Sequence, residues 1–212
     1  MTNLFNIRRD FTLKTLDESE ALPNPIDMFK LWFDEAIKSE VLEPNAMNLA
    51  TATIDGKPSS RIVLLKQIKP EGFVFFTNYD SKKADQIAAN KYCALNFAWH
   101  ELERQVRIEG IVEKISDEES DSYFDVRPEK SKLGAWASPQ SQVIPNRQYL
   151  EKLNADFELR FTGKTITRPP NWGGYIVKPY LIEFWQGRKS RLHDRLQYRL
   201  LNNEWKIERL AP

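Results

Sequence analysis

From about Ala46 to its end the chain is written mostly in strand grammar, and this pattern limits its fold more than any other feature. Residues 47–54 alternate apolar and polar side chains, Asp55-Gly56 supplies a turn, and residues 61–68 are rich in β-branched and aliphatic side chains. Pro70-Glu71-Gly72 opens a further strand at 73–77. Residues 92–99 and 104–115 read as a pair joined by the polar turn His100-Glu101-Leu102-Glu103. In the second of these, Val106, Ile108 and Val112 share one face, and Gln105, Arg107, Glu109 and Glu113 the other. Residues 174–177, 181–186, 194–201 and 204–210 complete the strands, with Asn202-Asn203 as a hairpin turn. Helices are expected after Pro25, where Ile26, Phe29, Phe33, Ala36 and Ile37 recur at helical spacing, and at 82–90 behind the cap Ser81. Two more are expected at 117–126 and 147–161. The fold class is therefore mainly β with flanking helices (α+β): one antiparallel barrel of about seven or eight strands with helices packed outside. Residues 1–24 read as a polar N-terminal arm and 25–212 as a single domain.

Bulk properties exclude several functions. Lys and Arg total 31 against 30 for Asp and Glu, too even a balance for a broad nucleic-acid footprint, although a local cluster can still hold a small anion. One cysteine and two histidines make an intrachain disulfide impossible and a structural zinc site untenable, so no metal is expected. Cys93 lies in the apolar run Tyr92-Cys93-Ala94-Leu95 and reads as buried and inert. The N-terminus lacks an apolar stretch of signal-peptide length, and no run approaches the ~18 apolar residues of a membrane span. A reduced, cytoplasmic setting without membrane contact is the expectation. Gly173-Gly174 does not open a helix and lacks a third glycine, so a dinucleotide-binding fold is not indicated.

Several groups could carry chemistry. In an extended segment Arg61, Val63 and Leu65 point one way and Ile62, Leu64 and Lys66 the other, so the two cations serve opposite sides. They suit two separate anions, or are solvated strand ends. Thr77-Asn78-Tyr79-Asp80-Ser81-Lys82-Lys83 leads a strand into a helix N-terminus, where free N–H groups, a hydroxyl and two lysines attract phosphate; a capped surface helix with solvated lysines is the alternative. Tyr123 and Arg127 are four apart on one helical face, Arg127-Pro128 ends that helix, and Ser131 can fold back beside them. A phenol, a guanidinium and a hydroxyl make a clamp for a phosphate monoester, or else a surface aromatic–arginine pair. Residues 134–141, small and polar around Trp136, read as a turn able to approach a flat ligand.

The tail is more specific. Glu183-Phe184-Trp185-Gln186 is followed after four residues by Arg191-Leu192-His193-Asp194-Arg195, in which Arg191, His193 and Arg195 share a face if the segment is extended. Two guanidiniums, an imidazole and an indole suit a planar, anionic, redox-active ligand. This run resembles the C-terminal signature of the pyridoxine/pyridoxamine 5′-phosphate oxidase family. The resemblance extends from about Arg8 to Pro212, through Glu103-Arg104-Gln105-Val106, Gly134-Ala135-Trp136 and Trp172-Gly173-Gly174.

That resemblance implies a split β-barrel homodimer with FMN in a cleft between subunits. It also implies oxidation of pyridoxamine or pyridoxine 5′-phosphate to pyridoxal 5′-phosphate, with O₂ as acceptor and H₂O₂ released. Carried over by residue, FMN would meet Arg61, Ile62, Val63, Leu64, Leu65, Lys66, Phe76, Thr77, Lys82, Lys83, Gln105, Gln140, Ser141, Trp185 and Arg195. Substrate would meet Arg8, Lys66, Tyr123, Arg127 and Ser131, with Arg191 and His193 at the reacting end as catalytic residues. Phe76 and Phe11 stand where relatives often carry Tyr, and Lys82 where Arg is common. A reductase on the same barrel, or a non-catalytic carrier of FMN or pyridoxal phosphate, are the rival readings; both have little use for the Arg191–His193 pair.

Overall fold

The computed structural model describes residue 5 and residues 10–212, so Arg8 lies outside the described residues. Helix α1 (Pro25–Lys38) comes first, started by Asn24, whose side chain accepts the Ile26 N–H, and by Pro25 in its first turn. Strands β1 (Ala46–Ala52), β2 (Pro58–Leu64), β3 (Gln67–Lys69) and β4 (Gly72–Asn78) follow, then α2 (Lys82–Ala89). Strands β5 (Tyr92–Trp99) and β6 (Arg104–Lys114) precede helices α3 (Asp117–Asp125), α4 (Glu129–Ala137) and α5 (Arg147–Phe161). Strands β7 (Trp172–Gln186), β8 (Asp194–Leu201) and β9 (Glu204–Arg209) end the chain.

The strands form one antiparallel sheet in the order β2-β1-β5-β6-β7-β4-β3, with β8 on β7 and β9 on β8. Its end members, β2 and β3, are consecutive in the chain. The segment expected as one strand at 61–68 breaks between them at Leu65 and Lys66, whose N–H groups donate to Asn45 O and Val74 O, each at 2.8 Å. The chain thus passes from one edge to the other and curls the sheet into a barrel. The opposite correction applies to 174–177 and 181–186, which are one strand. Tyr180 bulges out of β7 where the β6 register shifts between Glu109 and Gly110, and Pro179 beside it has no N–H to contribute to a ladder. The first half of β7 pairs with β4 and the second with β8, so its two ends serve different neighbourhoods.

Helix α1 packs onto the barrel core through its apolar face. Phe29 is fully buried against Phe73 and Phe97, and Trp32 packs on Phe184. Truncating such a phenyl ring to Ala costs about 3–5 kcal/mol. A second apolar cluster outside the barrel joins Phe124, Leu133, Ile166 and Trp172, with Phe76, Tyr123 and Trp136 packed on it. It carries α4, which the sequence reading takes for a turn. Leu133 and Ala137 are buried on one side of that helix, which offsets the roughly 1 kcal/mol that Gly134 costs relative to Ala, and irregular backbone begins only at residue 138, with Ser141 left-handed at φ 71. The Asn202-Asn203 turn is as expected, with φ of 50 and 65. No helix among the described residues is long and apolar enough to cross a membrane.

Candidate active site

Where β2, β4, α2, α3 and α4 converge, a cleft of about 550 Å³ is lined by Arg61, Ile62, Val63, Leu64, Lys66, Phe76, Thr77, Lys83, Tyr123, Arg127, Ser131 and Gln140. These are twelve of the residues the sequence singled out, now in one place. Pro128 and Trp172 complete the lining. The alternation on β2 is as read for Arg61 and Val63 against Ile62 and Leu64, but the break after Leu64 turns Leu65 into the core, 4% exposed, and it does not line the cleft. Lys82 is exposed on the first turn of α2, outside the lining.

Arg61 and Lys83 are held by neutral groups. Arg61 donates to Leu49 O at 3.0 Å and Thr51 Oγ1 at 2.7 Å, and its other nitrogen lies 3.4 Å from Gln86 Oε1. Lys83 donates to Thr77 Oγ1, Ser81 Oγ and Gln140 Oε1 at 3.0, 3.1 and 2.6 Å. Burial first, and Arg61 second, push its ammonium down to about 8. Ser81 opens α2 but does not cap it; its hydroxyl donates to Asn78 O and accepts from Lys83, leaving the first N–H groups of the helix open to an anion. Arg127 lies with its guanidinium carbon 4.5 Å from the Trp172 ring centre, and burial lowers its pKa. Its Nη1 is buried without a hydrogen-bond partner. Among the described residues no carboxylate pairs with Arg61, Lys66, Lys83 or Arg127. Buried unpaired charge is costly, so a cleft built this way is built for anions.

The tail residues lie elsewhere. Gln105, Trp185 and Arg195 are side by side on β6, β7 and β8, because Gln105 registers with Trp185 and Trp185 with Arg195. Arg195 is not a free cation: it grips the buried Glu183 through two bonds of 2.8 and 3.0 Å and donates to Ala211 O. The segment before β8 is not extended. Ser190 and Arg191 have φ of 56 and 61, so Arg191 projects from a tight turn, exposed, and does not share a strand face with His193 and Arg195. His193 accepts the Arg188 N–H at Nδ1, 3.1 Å away, and its ring centre lies 4.5 Å from that of Trp185. Burial, then Arg191, lower its pKa, and in the neutral ring the Nδ1 bond leaves the proton on Nε2. Phe11 of the arm closes over both rings at 5.7 and 5.8 Å and lies on Gly187, where a Cβ would approach its Cγ to 2.6 Å. Glu103 fixes that approach by accepting the Thr12 and Leu13 N–H groups. Ser141 is exposed and lines neither group.

Sequence reasoning assigned no role to Trp172. The signal present was a large aromatic at the start of a strand beside Gly173-Gly174, which does not by itself reveal which side chain it supports. No cluster able to hold a metal ion exists among the described residues. The uncompensated cations, the orphaned Arg127 nitrogen and the open α2 terminus fit the phosphate of FMN and that of a second phosphorylated molecule.

A family model described as pyridoxamine 5′-phosphate oxidase matches residues 33–158, and one described as the pyridoxine 5′-phosphate oxidase C-terminal dimerisation region matches residues 172–212. A curated pyridoxine/pyridoxamine 5′-phosphate oxidase from Nostoc punctiforme is 56% identical over 208 residues, covering 98% of this chain and 97% of its own. Among solved structures, PhzG from Burkholderia lata 383 in complex with tetrahydrophenazine-1-carboxylic acid is 31% identical, with a TM-score of 0.89 over 94% of this chain and 99% of its own. A pyridoxamine 5′-phosphate oxidase-related, FMN-binding protein from Nostoc punctiforme shares the fold, with a TM-score of 0.70 at 19% identity over 87% of this chain and 97% of its own. The barrel is thus the split barrel of these proteins, and the chain belongs to the pyridoxamine 5′-phosphate oxidase family.

Proposed function

We propose that the protein oxidises pyridoxamine 5′-phosphate or pyridoxine 5′-phosphate to pyridoxal 5′-phosphate, as a homodimer holding FMN. The observation that carries this is the cleft in which Arg61, Lys66, Lys83 and Arg127 converge without a carboxylate. The identity to curated oxidases along almost the whole chain supports the substrate class. Bound FMN supplies the acceptor for the hydride lost from the 4′ carbon, and O₂ takes the electron pair onward to give H₂O₂.

The residues divide the remaining work. Arg61, Lys82 and Lys83, with the α2 N-terminus, would hold the FMN phosphate. Lys66, Tyr123, Arg127 and Ser131 hold the substrate phosphate, which fixes the pyridine ring in orientation. Gln105, Trp185 and Arg195 are at the far end of β7 from the cleft and belong to its completion by a second copy. The exposure of Ile62 and Leu64 in the cleft lining, and the dimerisation region matched at 172–212, support that arrangement. Arg191 and His193 then meet the reacting end; His193 Nε2–H donates to the substrate amine or alcohol, and with the positive Arg191 it makes that group more acidic, so that its proton passes to solvent at this exposed end as the hydride leaves. For the amine, water replaces nitrogen and ammonia leaves; for the alcohol, oxidation gives the aldehyde directly.

The test is direct. The purified protein is expected to absorb as a flavoprotein and, given pyridoxamine 5′-phosphate in air, to form pyridoxal 5′-phosphate and peroxide in equal amounts. A yellow protein that turns over neither substrate is a carrier, and the proposal fails.

A further inference from the structure

Arg127 has an unusual support. Its positive charge faces no carboxylate, its Nη1 is buried without a partner, and its guanidinium lies 4.5 Å from the Trp172 ring centre and 5.4 Å from that of Phe124. A guanidinium over an aromatic face is fixed in its plane while its N–H edge stays available. The indole is itself held tightly. Trp172 is 6% exposed, its carbonyl accepts from Arg168 at 2.7 Å, and the same guanidinium reaches Asp117 and Asp121 of α3 at 2.8 and 2.6 Å. That clasp joins the start of β7 to the helix that carries Tyr123 and ends just before Arg127. Phe76 stacks on Tyr123 at 3.9 Å and on Trp172 at 5.5 Å, so Trp172 belongs to a stack of three nearly parallel rings that includes the clamp residue Tyr123.

We propose that Trp172 is a positioning residue that sets affinity for the substrate phosphate by holding Arg127 with its donor edge toward the cleft. This rests on the reading of Arg127 as a phosphate ligand. Trp172 acts through Arg127, so its removal weakens phosphate capture and has far less effect on the oxidation step.

The experiment uses the FMN-loaded enzyme and compares pyridoxamine 5′-phosphate with pyridoxamine, which lacks the phosphate. Trp172→Leu is expected to raise KM for the phosphorylated substrate about tenfold, equivalent to about 1.4 kcal/mol, with a much smaller change in kcat. Preference for the phosphorylated substrate falls by the same factor. Trp172→Phe, which keeps an aromatic face, recovers most of it and leaves a loss of about two- to threefold. Arg127→Met sets the ceiling, and the double variant Trp172→Leu/Arg127→Met is expected to be no worse than Arg127→Met alone. Equal loss on both substrates, or additive effects in the double variant, overturns the proposal. An impaired Arg127→Met beside an unaffected Trp172→Leu overturns the platform alone, whereas an unaffected Arg127→Met overturns the phosphate reading beneath it. If Trp172→Leu does not fold, Trp172→Phe carries the test: no selective loss on the phosphorylated substrate overturns the proposal.

Discussion

At pH 7 the Lys83 ammonium is mostly charged, and by pH 9 most of that charge is gone, because burial and then Arg61 bring it down to about 8 from an ordinary 10.5. A phosphate dianion beside it restores the ordinary value, so only protein with Lys83 protonated binds tightly. The protonated fraction falls from about nine-tenths at pH 7 to about one-tenth at pH 9, and apparent FMN affinity falls about tenfold with it. The ligand-free protein changes in the opposite sense. The folded pKa lies below the unfolded one, so the unfolded chain binds more protons between about 8 and 10.5, and stability rises with pH. From pH 7 to pH 9 the gain is about 1.3 kcal/mol. The assay is quenching of FMN fluorescence on binding to flavin-free protein at pH 7, 8 and 9 and constant ionic strength, with urea unfolding of the same samples. Lys83→Met is expected to bind more weakly at pH 7 and to lose both pH dependences. Wild-type affinity that is flat from pH 7 to pH 9, or a slope that survives in Lys83→Met, refutes the reasoning.

Glu183 is buried between Arg195 and Arg107, and Glu183→Gln leaves two guanidiniums facing a neutral amide. A loss of about 2–3 kcal/mol in urea unfolding is expected, and an unchanged midpoint would show that the pair contributes nothing net. Asn203→Gly relieves a left-handed residue in the β8–β9 turn and is expected to stabilise by about 0.5 kcal/mol, seen as a small rise in Tm; a fall contradicts the turn assignment. Arg191→Ala is expected to lower turnover at least about tenfold with FMN occupancy nearly unchanged. A variant that arrives without flavin and regains normal turnover when FMN is resupplied excludes a role for Arg191 at the reacting end.

How far the sequence carried can be judged residue by residue. Alternation in residues 104–115 assigns the faces of β6 correctly because one face is buried and the other half-exposed, which is what periodicity reports. It could not show that 61–68 breaks at Leu65, since that break goes with backbone bonds to Asn45 and Val74, partners outside the segment on its two sides. Residues 174–177 and 181–186 read as two strands because the alternation lapses between them, yet a bulge carries Pro179 and Tyr180 within β7. Helix α4 was missed because Gly134 and Pro139 carry the local signature of a turn, while burial of Leu133 and Ala137 decides the outcome. Of the site, the cleft cations were visible as separate clusters, and their convergence came from the curl of the sheet. The pairing of Arg195 with Glu183 was hidden for another reason: residues twelve apart meet only because β7 and β8 pair antiparallel in that register.

The length of β7 has one more consequence. Its first residue, Trp172, lines the cleft and its fourteenth, Trp185, packs on His193, about 40 Å apart along the strand. On the dimeric reading, every copy therefore contributes one half to each of two different sites. A lesion in either half damages both sites of a uniform population, yet two subunits with different lesions, paired together, leave one site wholly intact. In genetic terms, alleles altered at the two ends of this single strand should complement each other, although they lie in one gene and on one element of structure.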